Sequence, residues 1–260
     1  MWRPECSPFW QPAVSFWSSL VSRILNCGDW IIMGMHTQPN DRTHTILNVL
    51  VGSHAHGLAS EQSDRDYRRV YVIPTEELFQ LGFKYPGSRW TKGDGDETAW
   101  EIGQFLLLGT QGHPLILETL LAPVITADPW GEQLRQLLPA LWSPHKAFEA
   151  FTNYANNQRT KLLDKKDGRP AKYAAAYIRV LYNLCELLKA GNFHIRIADT
   201  PAGERLTHIK NGKYRLGDVM NWGEELTEQA QQLLAKCRNT SDLPRINDFL
   251  VAIRRAFLSL

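Results

Sequence analysis

Residues 50–74, "LVGSHAHGLASEQSDRDYRRVYVIP", run from the end of one apolar segment through a glycine-punctuated loop to a pair of aspartates and a second apolar segment. Asp64 and Asp66 stand one residue apart, and Gly52-Ser53 closes the segment before them. Two like charges on one strand face repel each other unless something positive sits between them. Residues i and i+2 of a strand share a face, so the spacing predicts that Asp64 and Asp66 project side by side within reach of a shared cation. Magnesium and similar hard ions take such oxygen ligands, retain several waters and complete their shell with substrate phosphates. The Gly52-Ser53 turn lets backbone amides and one hydroxyl approach a phosphate, and Gly57 relieves crowding further along. Asp-x-Asp alone is commonly a solvated strand end; the ordered set between two strands is what gives the stretch its weight.

Working outward, "TILNVLVGS" (45–53) is a β-branched apolar run that reads as a buried strand, and "DYRRVYVIP" (66–74) as a second strand closed by Pro74. A loop rich in Gly, Lys and Asp over 84–96 follows. "ETAWEIGQFLLLGTQGHPLILETLLAP" (97–123) then begins as a third strand, turns helical around Glu101 to Leu108, and breaks at Gly112-His113-Pro114 before a second short helix. From about residue 144 the pattern is helical. "SPHKAFEAFTNYANNQRTKLL" offers Ser143 as N-cap and Pro144 at the first helical position. "PAKYAAAYIRVLYNLCELLKAGN" stops at Gly191-Asn192. "GEELTEQAQQLLAKCR" and "LPRINDFLVAIRRAFLSL" supply two more helices.

At 260 residues and 43% hydrophobic content the chain can bury a real core. Its 29 Lys and Arg nearly balance 27 Asp and Glu, which excludes a global positive field and requires a local patch for any polyanion. Cys6, Cys27, Cys185 and Cys237 show no paired spacing, so neither a zinc knuckle nor a disulfide framework is readable, and a reducing, cytoplasmic setting is expected. Residues 1–40 read as a leader, with four of the nine Trp at Trp2, Trp10, Trp17 and Trp30. Its apolar part, 13–25, is too short to span a bilayer and carries no signal-peptide pattern, so no membrane association is expected. An amphipathic helix over 14–25 fits the pattern. Translation from Met33 or Met35 is an expectation that mass spectrometry of the native product decides.

With these residues in place, "GSHAHGLASEQSDRDYRRVYV" resembles the signature of the DNA polymerase beta-like nucleotidyltransferase superfamily: Gly-Ser, then Gly, then Asp-x-Asp. "GLASEQSDRDYR", "DETAWEIGQFLLLGTQGHPLILETL" and "KYAAAYIRVLYNLCELLKAG" resemble, more narrowly, the predicted nucleotidyltransferases associated with RNA repair, over roughly residues 47–197. The resemblance implies an α/β (α+β) architecture. A mixed sheet with flanking helices, the catalytic domain, would occupy 41–140, and an all-helical domain 141–260. It implies Asp64 and Asp66 as ligands of two magnesium ions, with manganese as a substitute, and Gly52 and Ser53 as the phosphate cradle. Asp96 is the preferred third carboxylate, Glu97 a register alternative, and Glu101 the remaining candidate or a structural residue. The implied reaction is attack of an acceptor hydroxyl, at an RNA end, on a protein or on a small molecule, on the α-phosphate of a nucleoside triphosphate such as ATP, with pyrophosphate leaving.

In the helical half, Gln158, Lys161, Lys172 and Arg179 match the family's block, and Lys172 and Arg179 share one helix face as candidates for the triphosphate tail. Tyr177 stands where His is more usual, and His113, which would cap a turn, where Asn is. Lys165, Lys166 and Arg169 read as a solvated loop. His54 and His56 lack a third partner for zinc and read as loop residues lining the nucleotide pocket. Trp90, Trp100, Trp142 and Trp222 present faces on which bases stack, although a core role is the commoner fate. Two other readings remain open: a catalytically silent nucleotide- or RNA-binding module, and a metal-dependent phosphohydrolase using the same carboxylates.

Overall fold

The computed structural model describes residues 42–92 and 96–258, all within one compact unit, Pro39–Leu260. The expected leader and the alternative start at Met33 or Met35 lie outside the described residues.

Strand β1 (His44–Val51) is the apolar run of the motif, with half of its residues buried and only His44 exposed, because it lies inside the sheet. It passes into the short helix α1 (Gly52–His56), and the chain returns as β2 (Asp66–Val72), paired antiparallel with β1 so that Val51 faces Asp66. Helix α2 (Thr75–Leu78) leads to β3 (Arg89–Lys92), which forms an antiparallel pair with β4 (Asp96–Glu101). β4 lies parallel to β2. Helices α3 (Ile102–Thr110) and α4 (Pro114–Leu121) lead to β5 (Val124–Ala127) on the far side of β1. The described sheet is mixed, in the order β3-β4-β2-β1-β5.

After α5 (Pro129–Arg135) and α6 (Leu138–Leu141) the architecture turns helical. Helix α7 (Pro144–Leu163) starts on Pro144, with Ser143 at the N-cap position but making no side-chain cap. Helix α8 (Pro170–Ala190) is buried on most of its circumference and ends at Gly191 in the left-handed conformation, which glycine adopts without strain. Helices α9 (Gly203–Lys210), α10 (Leu216–Leu234) and α11 (Leu243–Ala256) follow. One hydrophobic cluster runs from Ile46 and Val70 in the sheet through Phe105, Leu141 and Phe151 to Ile178 and Ile253 in the helices.

Helix α11 returns to the sheet. The Thr75 hydroxyl donates to the Arg254 carbonyl at 2.6 Å, and the Arg254 guanidinium reaches the fully buried Glu101 at 2.6 Å. The short helices α1, α2, α5 and α6 have no counterpart in the sequence reading, and neither does α9; β3 lies in the stretch expected to be a loop, and β5 follows an expected helix directly. The two strands have four residues each, too short to stand out by pattern, and are held by pairing with β4 and β1, although Val124, Ile125 and Thr126 of β5 favour a strand in their own right.

Candidate active site

β2 and β4 begin side by side. Tyr67 pairs with Glu97 and Arg68 with Thr98, so one residue earlier Asp66 meets Asp96 on the same sheet face. Glu97 belongs to the opposite face and is 2.6 Å from Arg69. Glu101 is structural, since its Oε2 accepts the Gly103 N–H at 2.7 Å and caps α3, while its Oε1 faces Arg254. Among the three acidic alternatives, Asp96 is therefore the one that shares a face with Asp66.

Asp64 does not lie on a strand. The ladder ends at the Val51–Asp66 pair because β1 turns into α1 there, so Asp64 has no strand to pair with and stands exposed in the loop before β2. Its charge nevertheless reaches Asp66. Burial, then Asp96 and more weakly Asp64, push the Asp66 carboxyl above the usual range, while Lys172 and Arg68 pull it down.

The glycine turn is fitted to this carboxylate. Gly52 has φ of 66°, and a Cβ there would collide with the Asp66 carboxylate. Ser53 follows it at the head of α1, whose N-cap makes no side-chain bond. The rest of the loop is pinned by His54 Nε2 against the Ser63 carbonyl at 2.8 Å and by the Ser60 N–H donating to the Ser63 hydroxyl at 2.9 Å. Gly57, with φ of 71°, closes α1 against the 196–198 turn, where a Cβ would fall 2.8 Å from that of Ala198.

Behind Asp66 lies a buried charge cluster that sequence reasoning missed. Glu118, on the inner face of α4, accepts from Arg179 at 2.6 Å, from Arg68 at 2.7 Å and from His56 Nε2 at 2.7 Å. Burial would push the Glu118 carboxyl up, but Arg179, then Arg68, and the His56 hydrogen bond outweigh it and hold it well below the usual range. Burial, with Arg179 beside it, pushes His56 down to about 4, so the ring is neutral and donates its Nε2 proton. One carboxylate against two guanidiniums leaves an excess of positive charge under the Asp64–Asp66–Asp96 group. In sequence, Glu118 is a lone acid in "LILETLL", with nothing to mark it except an inward helical position.

Lys172 is exposed on α8 within electrostatic range of Asp66, whereas Arg179, two turns on, is turned inward to Glu118. A further cation was missed. Lys210, the last residue of α9, is half-buried; burial and then Lys172 push its ammonium below the usual range, and Asp66 partly offsets them. Lys172, Lys210 and Asp66 thus form one electrostatic neighbourhood, reached by Arg179 from behind.

The remaining predicted positions separate. Gln158 is buried, and Lys161 Nζ stands 5.9 Å from the Tyr173 ring. Tyr177 packs its ring on Gly223, leaving no space for a Cβ there. His113 occupies the N-cap position of α4 but makes no side-chain cap, and burial, then Arg68, push it down to about 4. Lys165, Lys166 and Arg169 are exposed. Trp100 and Trp142 are core residues, and Trp222 packs partly on the core beneath Arg205. Cys185 and Cys237 are free thiols. Among the described residues no helix is long and apolar enough to cross a membrane.

Among the described residues no three His, Cys, Asp or Glu side chains form a preformed metal cage. The donor chemistry still fits a hard divalent ion. The carboxylates are oxygen-only, they repel one another, and ions that keep waters and substrate phosphates need few protein ligands. Asp64, Asp66 and Asp96 are the residues that would hold it.

Comparison with known proteins gives three findings. Over 131 residues, 49% of this chain, the sequence is 27% identical to YcgL of Bacillus subtilis, described as an uncharacterized protein; the match spans half of that relative's length. A crystal structure of a nucleotidyltransferase-like protein from Exiguobacterium sibiricum aligns with 84% of this chain and 75% of its own, at 10% identity and a TM-score of 0.27. The model of the RNA repair pathway DNA polymerase beta family matches residues 35–251, most of the sequence, and the chain belongs to that family.

Proposed function

We propose that the protein is a magnesium-dependent nucleotidyltransferase that moves a nucleoside monophosphate from a nucleoside triphosphate to an acceptor hydroxyl, an RNA end being the acceptor most consistent with the family. The observation that carries this reading is the shared face of Asp66 and Asp96, with Gly52 against Asp66 and with Lys172 and Lys210 within its electrostatic range.

The triphosphate lies between the Gly52-Ser53 turn and the two lysines, which offset the charge gathering on the departing pyrophosphate. Divalent ions bound at Asp64, Asp66 and Asp96 would supply Lewis-acid stabilisation of the attacked phosphate and of the entering and leaving oxygens. A carboxylate of the same group accepts the proton of the acceptor hydroxyl. Arg179 acts on the site through Glu118 and its own field, not as a free side chain.

The test is incubation with magnesium and each of the four α-labelled ribonucleoside triphosphates, together with total RNA, bulk protein or no acceptor. The Asp64→Ala/Asp66→Ala variant is run in parallel. Label joined to RNA by the unmutated protein alone is the expected result. Release of free labelled monophosphate would instead indicate a phosphohydrolase, and bound but unreacted nucleotide a silent binding module.

A further inference from the structure

Trp90 occupies a place that its packing does not explain. β3 is an edge strand, and Trp90 pairs with Thr98 of β4, which in turn pairs with Arg68 of β2. Directly opposed residues of adjacent strands project to the same face, so Trp90, Thr98 and Arg68 form one row and Asp96 and Asp66 form the row beside it. One strand spacing across and one pleat along put the Trp90 backbone about 8 Å from that of Asp96.

The indole is also unclaimed by the core. Trp90 is 61% exposed, whereas Trp100, which follows Thr98 on the same face of β4, is 5% exposed. Trp130 and Trp222 pack partly against the main hydrophobic cluster and Trp142 is inside it, but Trp90 joins neither cluster. An aromatic of this size is ordinarily buried for the apolar area it removes from water, and exposed edge strands are ordinarily protected by charge rather than by aromatic surface. A flat, open π-face beside a group of carboxylates and cations suits one ligand chemistry: a nucleobase whose phosphates lie at those charges.

We propose that Trp90 is the base platform of the active site, on which an unpaired nucleobase stacks while its phosphate lies at the Asp66–Asp96 row. The inference rests on the nucleotidyltransferase reading and adds a subsite to it. The base belongs either to the nucleoside triphosphate or to the terminal residue of the acceptor strand, and the experiment distinguishes the two.

Trp90→Ala and Trp90→Phe are compared with the unmutated protein in magnesium, using the four ribonucleoside triphosphates, a five-nucleotide single-stranded RNA, and inorganic tripolyphosphate as a probe without a base. Trp90→Ala is expected to bind one of the base-containing probes roughly 5- to 100-fold more weakly and tripolyphosphate unchanged, with Trp90→Phe close to the unmutated protein. Weakening confined to the triphosphates assigns the platform to the incoming nucleotide; weakening confined to the RNA assigns it to the acceptor end. Ligand-induced quenching of tryptophan fluorescence should shrink in Trp90→Phe even though that variant still binds. Equal binding of all base-containing probes by Trp90→Ala and the unmutated protein would overturn the platform and leave the nucleotidyltransferase reading intact. No binding of any probe by the unmutated protein would overturn both.

Discussion

Arg179 and Glu118 meet inside the protein, Nη1 to Oε1 at 2.6 Å, with the Glu118 side chain 4% exposed and that of Arg179 12%. Arg68 takes the other carboxylate oxygen at 2.7 Å. A residue that the sequence presents as a phosphate contact is thus half of a buried pair that joins α8 to α4 and, through Arg68, to β2.

Removing the carboxylate strands both guanidiniums. Glu118→Gln should lower unfolding stability by about 3 kcal/mol or more, because a buried charge that loses its partner retains its desolvation cost. His56→Gln keeps most of the buried volume and disturbs only one hydrogen bond of the same cluster, so it should cost about 1 kcal/mol. Urea unfolding of the two variants makes the comparison, and equal losses would show that Glu118 does not hold the cluster together.

Stability should depend on pH in a defined window. His56 and His113 are neutral in the fold down to about pH 4, whereas in the unfolded chain each takes a proton near 6.5. Between those values the unfolded chain binds more protons, so stability is greatest above pH 6.5 and declines as pH falls toward 4, by up to about 1.4 kcal/mol per pH unit for each histidine. Glu118, held low, adds a further loss only below its ordinary value of 4.5. Urea midpoints recorded across this range should flatten in His56→Gln/His113→Asn. A slope that survives the double change would assign it to other groups.

Lys210 offers a trade between stability and binding. Its ammonium is partly desolvated and repelled by Lys172, so Lys210→Met should leave the free protein as stable or more so, while raising the KM for nucleoside triphosphate roughly tenfold. Thermal melts without nucleotide and initial rates with it test the two signs separately. A variant that melts lower and turns over normally would make Lys210 a structural residue.

What the sequence revealed followed from local signals. β1 and β2 announced themselves through runs of β-branched and aromatic residues, and α7 and α8 through Pro at the start and, for α8, Gly at the end. The candidate site was legible where chemistry and spacing coincide, at Gly52 and Asp66; Asp64 stands in the loop rather than on the strand its spacing suggested, and Asp96 entered through the family resemblance. Choosing among Asp96, Glu97 and Glu101 required the register between β2 and β4, which no local pattern encodes. Glu118 and Lys210 were invisible for a related reason. A lone acid in an apolar helix and a lysine at a helix end become meaningful only through residues 60 or more positions away in the chain, such as Arg179 for Glu118 and Asp66 for Lys210. Arg179 is recognisable as a basic position, but its inward turn is not, because sequence does not show which side of α8 meets α4.

Gly52→Ala should abolish nucleotide transfer and lower stability by more than the roughly 1 kcal/mol usual for Ala at positive φ. Asp66→Gly in the same background should recover the part of that loss due to the collision. A double-mutant cycle read by urea unfolding isolates the coupling, and strictly additive losses would mean that the two positions do not touch.

That contact also says something about descent. On the proposed nucleotidyltransferase reading, as long as the carboxylate at position 66 is selected for, glycine is the residue that fits position 52; once the acid is lost, the collision goes and only the positive φ still favours glycine there. The two sites should therefore decay together, the acid first and the glycine later. A family member with a side chain at the position of Gly52 is expected to have already given up the aspartate, so a single codon would mark a lineage in which the scaffold has outlived the reaction.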